Sequence, residues 1–353
     1  MIACRSRVEL AEALAGLRAE GRPVGLVPTM GYLHAGHEAL IGRARRDGMA
    51  PVVSVFVNPL QFGPGEDFDR YPRDEARDLR LAAAAGAAVV YLPTVDDLLP
   101  ETPRTTITVP SLMGTMCALS RPGHFPGVAL IVVRLFGVVG PDCAYFGEKD
   151  AQQLAVVRQV VLDLALRVRI VGVATVREAD GLAKSSRNAY LAPDERARAL
   201  ALSAALAAGQ ASIAAGERDP KRVRRAIWEA LAVPGVEPEY AEVVDPDRLE
   251  VPDRLLGRTL LAVAARLGRT RLIDNLRLFV PESGPALPLV DDPEDAQERL
   301  AQAEAAGRAV AAARGRGASA RDEAVLLDAL RGAPSVDDAT LATLVVRALA
   351  RAR

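Results

Sequence analysis

Across its first 176 residues the chain alternates short apolar runs with segments of helical periodicity, a rhythm that suits a parallel sheet flanked by helices. Val8, Leu10, Leu14 and Leu17 recur at near-helical spacing within Arg7 to Glu20, and Gly21-Arg22-Pro23 ends that helix. The apolar run Val24 to Val27 follows, stops at Pro28, turns through Thr29-Met30-Gly31 and enters a second helix near His37. Strands are then expected at Val52 to Val57, Ala88 to Leu92, Cys143 to Phe146 and Val168 to Val173. Between them lie helices at Ala76 to Ala85, closed by Gly86, at Phe125 to Val139 and at Ala151 to Leu166. Repeated βα units of this kind place ligands at the C-terminal ends of the strands, where the loops carry the polar residues.

The pattern changes after Val176, where a domain boundary is expected. Helices at Pro193 to Ala214 and Lys221 to Leu231 and strands at Tyr240 to Val244 and Leu260 to Ala264 describe a smaller α/β unit. The 353 residues exceed the roughly 100–200 of one domain and leave room for an extension. Beyond Pro281, residues 283–353 are dominated by Ala, Arg, Asp and Glu and read as a helical tail, with Ala296, Leu300, Ala303 and Val310 on one face.

Composition narrows the function. Hydrophobic residues make up 50% of the chain but aromatics only 4%, so Ala, Leu and Val must fill the core. With 44 basic and 45 acidic residues, the broad positive field of sequence-independent nucleic-acid binding is missing, and a small-molecule substrate is expected. Cys4, Cys117 and Cys143 have no paired spacing and read as buried free thiols. Glu9 and Glu12 interrupt any signal-peptide core, and the apolar stretch Val128 to Val139 falls short of a span of about 20 residues. A cytoplasmic protein with no membrane association is therefore expected.

Four loops carry candidate chemistry. The first, Pro28 to His37, holds His34 and His37 three residues apart with Gly31 and Gly36 beside them, between a strand and a helix. Glycines let backbone N–H groups approach an anion, the helix N-terminus adds partial positive charge, and imidazoles donate to phosphate oxygens, so the loop suits a triphosphate. The alternatives are a metal pair or ordinary partly buried histidines. Two of the chain's three histidines lie here, and no nearby Cys or acidic cluster completes a metal site, so no metal ligands are assigned.

Asn58 and Gln61, at the end of a strand, offer amides that can hold a hydroxy acid without burying a charge, although Asn58-Pro59 could simply cap a turn. Gly63 to Asp67 reads as a mobile loop able to cover a site. In Gly147-Glu148-Lys149-Asp150, Lys149 can neutralise a phosphate and Asp150 accept from ribose hydroxyls, with Gln152 and Gln153 following; the plain alternative is a solvated turn. Glu178 to Asn188 joins a turn at Asp180-Gly181 to two hydroxyls and two cations, a loop for phosphates or merely for capping.

Taken together, the stretches PTMGYLHAGH, FVNPLQF, GHFPGV, AYFGEKDAQQL, VREADGLAKSSRN and AVAARLGRTRLIDN resemble the pantothenate synthetase family, from roughly Val8 to Phe279. That family lies within the HIGH-motif nucleotidyltransferases. The resemblance implies a Rossmann-like parallel-sheet domain at 1–176, a smaller C-terminal domain at 177–282 closing over ATP, and typically a homodimer. It implies ATP-dependent joining of pantoate to β-alanine through a pantoyl adenylate, with Mg2+ carried mainly by the ATP phosphates.

By the same resemblance Met30, Gly31, Tyr32, Leu33, His34, Ala35, Gly36 and His37, with Gly147, Glu148, Lys149 and Asp150, line the nucleotide site. His34, His37 and Lys149 are then the catalytic groups, and His37 is the candidate acid. Val176 meets the adenine, and Lys184, Ser185, Ser186 and Arg187 close over the phosphates, Lys184 standing where the family commonly has Met or Leu. Gln61 and Gln153 hold pantoate, Gln61 also lies near β-alanine, and Asn58 supports the pocket. Two other readings are a sister nucleotidyltransferase acting on a phosphate or alcohol, which the paired amides disfavour, and a non-catalytic nucleotide-binding regulator, which His34, His37 and Lys149 disfavour.

Overall fold

The computed structural model describes residues 1–99, 103–281 and 286–288, so the expected tail helices lie outside the described residues. In the first part of the chain the elements are β1 (Ile2–Cys4), α1 (Arg7–Ala19), β2 (Val24–Thr29), α2 (Ala35–Arg46), β3 (Ala50–Val55), α3 (Glu75–Ala85) and β4 (Val89–Tyr91). They continue with α4 (Val95–Leu98), α5 (Cys117–Ser120), α6 (His124–Val139), β5 (Cys143–Gly147), α7 (Ala151–Asp163) and β6 (Arg169–Val173). Six strands form one parallel sheet in the order β1-β4-β3-β2-β5-β6. Side chains alternate faces along a strand. Leu26, Val52 and Val89 therefore pack with Leu10, Leu14, Val128 and Leu135 on one side. Their neighbours Val27, Val53 and Val90 pack with Leu40, Ile41 and Tyr145 on the other. Continuous apolar strands follow from burial on both faces. The strand order reverses between β2 and β5, the switch point outside which α/β sheets bind ligands.

The chain divides into two compact units, one of 1–178 with 183–189, the other of 179–182 with the chain from Tyr190. The first unit's main span ends at Glu178, and a loop returns to it at 183–189. Residues 183–189 stay with the first unit because Lys184 N donates to Val176 O (2.9 Å), Asn188 Nδ2 to Ala183 O (3.1 Å) and Ser186 Oγ to Tyr32 O (3.3 Å).

In the second unit α8 (Pro193–Arg198), α9 (Leu200–Ala214) and α10 (Pro220–Leu231) accompany β7 (Glu237–Val244), β8 (Gly257–Leu267), β9 (Thr270–Val280) and β10 (Leu287–Pro288). These strands form an antiparallel sheet in the order β10-β9-β8-β7. The single helix expected over Pro193 to Ala214 is divided at Ala199, where a tightened bond from Leu202 N to Ala199 O (3.2 Å) interrupts the α ladder. Among the described residues this is the one stretch long and apolar enough to cross a membrane. Its Leu202, Leu206 and Ile213 are buried with Val223, Ile227 and Leu261 in the unit's core. The three cysteines are buried free thiols.

Candidate active site

The loop leaving β2 is fixed before it reaches its histidines. Thr29 Oγ1 donates to Ser54 O (2.7 Å) and accepts from Gly31 N (3.1 Å). The buried Asp78 carboxylate on α3 accepts from the backbone of Tyr32 (2.8 Å) and Leu33 (2.7 Å). α2 starts at Ala35 rather than near His37, because His34 itself is the N-cap.

The two imidazoles cap the helix reciprocally. His34 Nδ1 accepts from Gly36 N (3.1 Å), and His37 Nδ1 accepts from His34 N (3.2 Å). A ring whose Nδ1 accepts carries its proton on Nε2 when neutral, so both rings keep an Nε2–H to donate. Burial, reinforced by the Lys149 charge, lowers the His34 pKa to about 4; burial and then His34 itself hold His37 well below 6.5. At neutral pH the pair is two uncharged N–H donors, their ring centroids 4.1 Å apart, at the positive end of a helix. Gly36 makes this possible, since a Cβ there would stand 2.8 Å from His34 Cε1.

A second chain of bonds orients an amide. Asn58, at the start of the turn Pro59–Gln61, accepts through Oδ1 from Leu60 N (3.1 Å), which leaves its Nδ2 to donate to Gln61 Oε1 (3.1 Å) and Gly127 O (3.1 Å). With Oε1 taken, Gln61 presents Nε2–H as a donor beside Met30 Sδ (2.9 Å). The neighbouring glutamines of α7 separate in role. Gln152 is buried and saturated by Cys117 N, Leu112 O and Thr115 O, whereas Gln153 lines the cavity.

One cavity in the first unit collects these groups. Met30, His34, Gly36, His37, Asn58, Gln61, Gly147, Lys149, Asp150, Gln153, Val176, Lys184, Ser185, Ser186 and Arg187 line it, over an apolar wall of Val128, Ile131, Val132 and Leu135 from α6. Gly31, Tyr32, Leu33, Ala35 and Glu148 are not among the lining residues. Leu33 is wholly buried in the core, and Glu148 is buried beside Gly172.

The lining cations sit beside acids: Lys149 Nζ lies 3.7 Å from Asp150, Lys184 Nζ 2.7 Å from Glu178, and Arg187 reaches Asp67 twice at 3.0 Å. Arg121, His124 and Tyr71 also line the cavity, beyond the site residues that the sequence motifs point to. His124 is the chain's third histidine and lies in a family-like stretch, a signal that was available; nothing in the sequence marked Tyr71. Among the described residues no group of three or more His, Cys, Asp or Glu is placed to hold a metal ion.

The histidines set an acid limit on stability. Burial lowers His34 and His124 to about 4, in His124 aided by the Arg121 charge. Between that value and 6.5 the unfolded chain binds more protons than the folded one, so stability falls as pH falls through this window. For Glu66 and Asp67 burial pushes the pKa up, but pairing with Arg121 and Arg187 outweighs it, so their contribution is lost only lower, as pH drops through their depressed values. The melting temperature is expected to drop by several degrees from about pH 7 to about pH 5. A flat profile in thermal melts would contradict neutral rings.

This arrangement has close relatives. A family model described as pantoate-beta-alanine ligase matches residues 3–277. The chain belongs to the pantoate-beta-alanine ligase family. It is similar to the pantothenate synthetase of Heliobacterium modesticaldum, with 52% identity over 258 residues, covering 73% of this chain and 92% of the relative. The pantothenate synthetase of Geobacillus kaustophilus is 50% identical over 268 residues, 76% of this chain and 89% of that one. Among solved structures the pantothenate synthetase of Thermus thermophilus gives a TM-score of 0.74 at 47% identity, over 78% of this chain and 99% of that one. The pantoate-beta-alanine ligase of Francisella tularensis, complexed with beta-gamma ATP and beta-alanine, gives 0.66 at 28% identity, over 81% and 99%. The paired amides and the histidine-capped helix thus stand in a ligase family.

Proposed function

We propose that this chain is an ATP-dependent ligase that joins pantoate to β-alanine through a pantoyl adenylate. The observation that carries the reading is a pair of neutral imidazole donors at a helix N-terminus, sharing one cavity with an amide donor above an apolar wall. Gln61 and Gln153 hold the hydroxy acid, and the α6 side chains receive its two methyl groups. A pantoate carboxylate oxygen attacks the α-phosphorus of ATP, the bond to pyrophosphate breaks, and a mixed anhydride forms. The amine of β-alanine then attacks the acyl carbon, AMP leaves, and the nitrogen gives up its proton as the amide forms.

His34 and His37 donate Nε2–H to phosphate oxygens, and Lys149 adds charge at the same end. With ATP present the Nε2–H of His37 is the donor placed to stabilise the charge that gathers on departing pyrophosphate. Asp150 accepts from the ribose and Val176 meets the adenine. Ser185, Ser186 and Arg187 cover the phosphates, and Lys184 joins them by trading Glu178 for phosphate oxygen. Mg2+ enters with ATP as part of the substrate. We further assign the protein to the cytoplasm as a homodimer, with small molecules rather than nucleic acid or membrane as partners.

The assay is direct. AMP and pyrophosphate should form from ATP only with pantoate, and full turnover should need β-alanine; ADP formation, or indifference to pantoate, would sink the assignment. Gln61→Ala and Gln153→Ala should raise the KM for pantoate by about tenfold or more while ATP affinity holds, since hydroxy-acid groups lose their partners. Weaker ATP binding alone would contradict this placement.

A further inference from the structure

Arg121 has no part in the chemistry described so far, yet its Nε, Nη1 and Nη2 are all engaged within the cavity. Its Nε and Nη2 grip both oxygens of Glu66 (2.7 and 2.6 Å) in the parallel fork that guanidinium offers a carboxylate. The rest of its donors point elsewhere: Nη1 to His124 Nε2 (3.1 Å) and Nη2 also to Gln61 O (3.3 Å). His124 Nδ1 in turn donates to Gln61 O (2.9 Å). The fork is thus held from behind by the turn that carries Gln61 and by a histidine, independently of the carboxylate in front.

That carboxylate stands on a loop able to let go. Pro64 and Gly65 are exposed, Gly65 has a φ of 80°, and Glu66 N meets only Gly63 O at 3.2 Å. The next residue, Asp67, is bound to Arg187, so a phosphate that takes Arg187 frees the loop beside Glu66.

We propose that the Nε–Nη2 edge of Arg121 is the carboxylate clamp for the amino-acid substrate, with Glu66 as an internal stand-in that the substrate displaces. The inference rests on the ligase reading above and deepens it. The acceptor must bring its carboxylate into the cavity along with its amine, and a desolvated carboxylate needs a cation. Lys149, Lys184 and Arg187 serve phosphates in that reading; Arg121 is adjacent to Gln61, beside the acid to be joined. Glu66 shows that the edge takes a carboxylate in two-point geometry.

The experiment compares the unaltered chain with Arg121→Lys and Glu66→Gln, using pantoate-dependent ATP–pyrophosphate exchange, which needs no amine, and full turnover with β-alanine or with n-propylamine, which lacks the carboxylate. In Arg121→Lys the KM for β-alanine should rise at least about tenfold more than that for pantoate, and the preference for β-alanine over propylamine should shrink by a similar factor. Glu66→Gln, which cannot fill both acceptor positions, should lower the KM for β-alanine. Loss confined to pantoate, or a KM for β-alanine unmoved in a lysine variant that still exchanges, would overturn the clamp alone. If the lysine variant does not fold, an unchanged KM in Glu66→Gln overturns it. Absence of exchange in the unaltered chain would overturn the ligase reading and the clamp together.

Discussion

Replacing His34 with asparagine is expected to slow adenylate formation by about 100-fold or more while leaving the stability of the chain nearly unchanged. The two halves of the ring have separate duties. Nδ1 accepts from Gly36 N as the cap of α2, and Nε2–H is left for a phosphate. Asparagine is among the best N-cap residues and replaces the first duty, but its amide is too short for the second. Alanine fails at both, so His34→Ala should lose the same rate and about 1 kcal/mol of stability besides. His37→Ala removes the acceptor for His34 N and the other Nε2 donor, and should slow adenylation to a similar extent. Single-turnover formation of pantoyl adenylate, set beside thermal melts, separates the terms. An asparagine variant that adenylates at the parent rate would show that Nε2 is not the working atom.

How far the sequence discloses this molecule depends on how local the signal is. The parallel sheet is legible because β2, β3 and β5 are buried along nearly their whole length and read as largely apolar runs. β1 has only three residues, with two exposed, and leaves no pattern. β9 is hidden for the opposite reason: Arg271, Asp274, Asn275 and Arg277 break its apolar run although Asp274, Asn275 and Arg277 are buried. The loops of the candidate site could be found because Gly36, His34 and His37 act on one another within three residues. Asp78 could not, since it reaches the Tyr32 and Leu33 amides from a helix more than forty residues away. The pairing of Glu66 and Asp67 with Arg121 and Arg187 is invisible for the same reason, so the sequence discloses only a loop able to cover a site.

Gly127→Ala, a single methyl group added within α6, is expected to raise the KM for pantoate by about 100-fold or abolish pantoate-dependent exchange while ATP still binds. A Cβ at Gly127 would stand 2.1 Å from Leu60 O, 2.5 Å from Leu60 C and 2.8 Å from Gln61 N. These are backbone atoms, so no rotamer change relieves the overlap. α6 cannot yield, because Val128, Ile131, Val132 and Leu135 are packed into the sheet's core. The turn Pro59–Gln61 must therefore move. With it goes the bond from Asn58 to Gly127 O, and with that the orientation of the Gln61 amide. The histidine loop leaves β2 and Lys149 follows β5, so the nucleotide side has no direct part in the overlap. The cost to folding should be about 1–3 kcal/mol, as for other overpacked cores. Gly137 in the same helix supplies the control. It is exposed, nothing lies within 4 Å of its added Cβ, and alanine there should stabilise the helix by about 0.5–1 kcal/mol with kinetics unaltered. Equal behaviour of the two variants in melts and exchange assays would show that the turn tolerates the methyl group, and that the contact at Gly127 does not hold the amide in place.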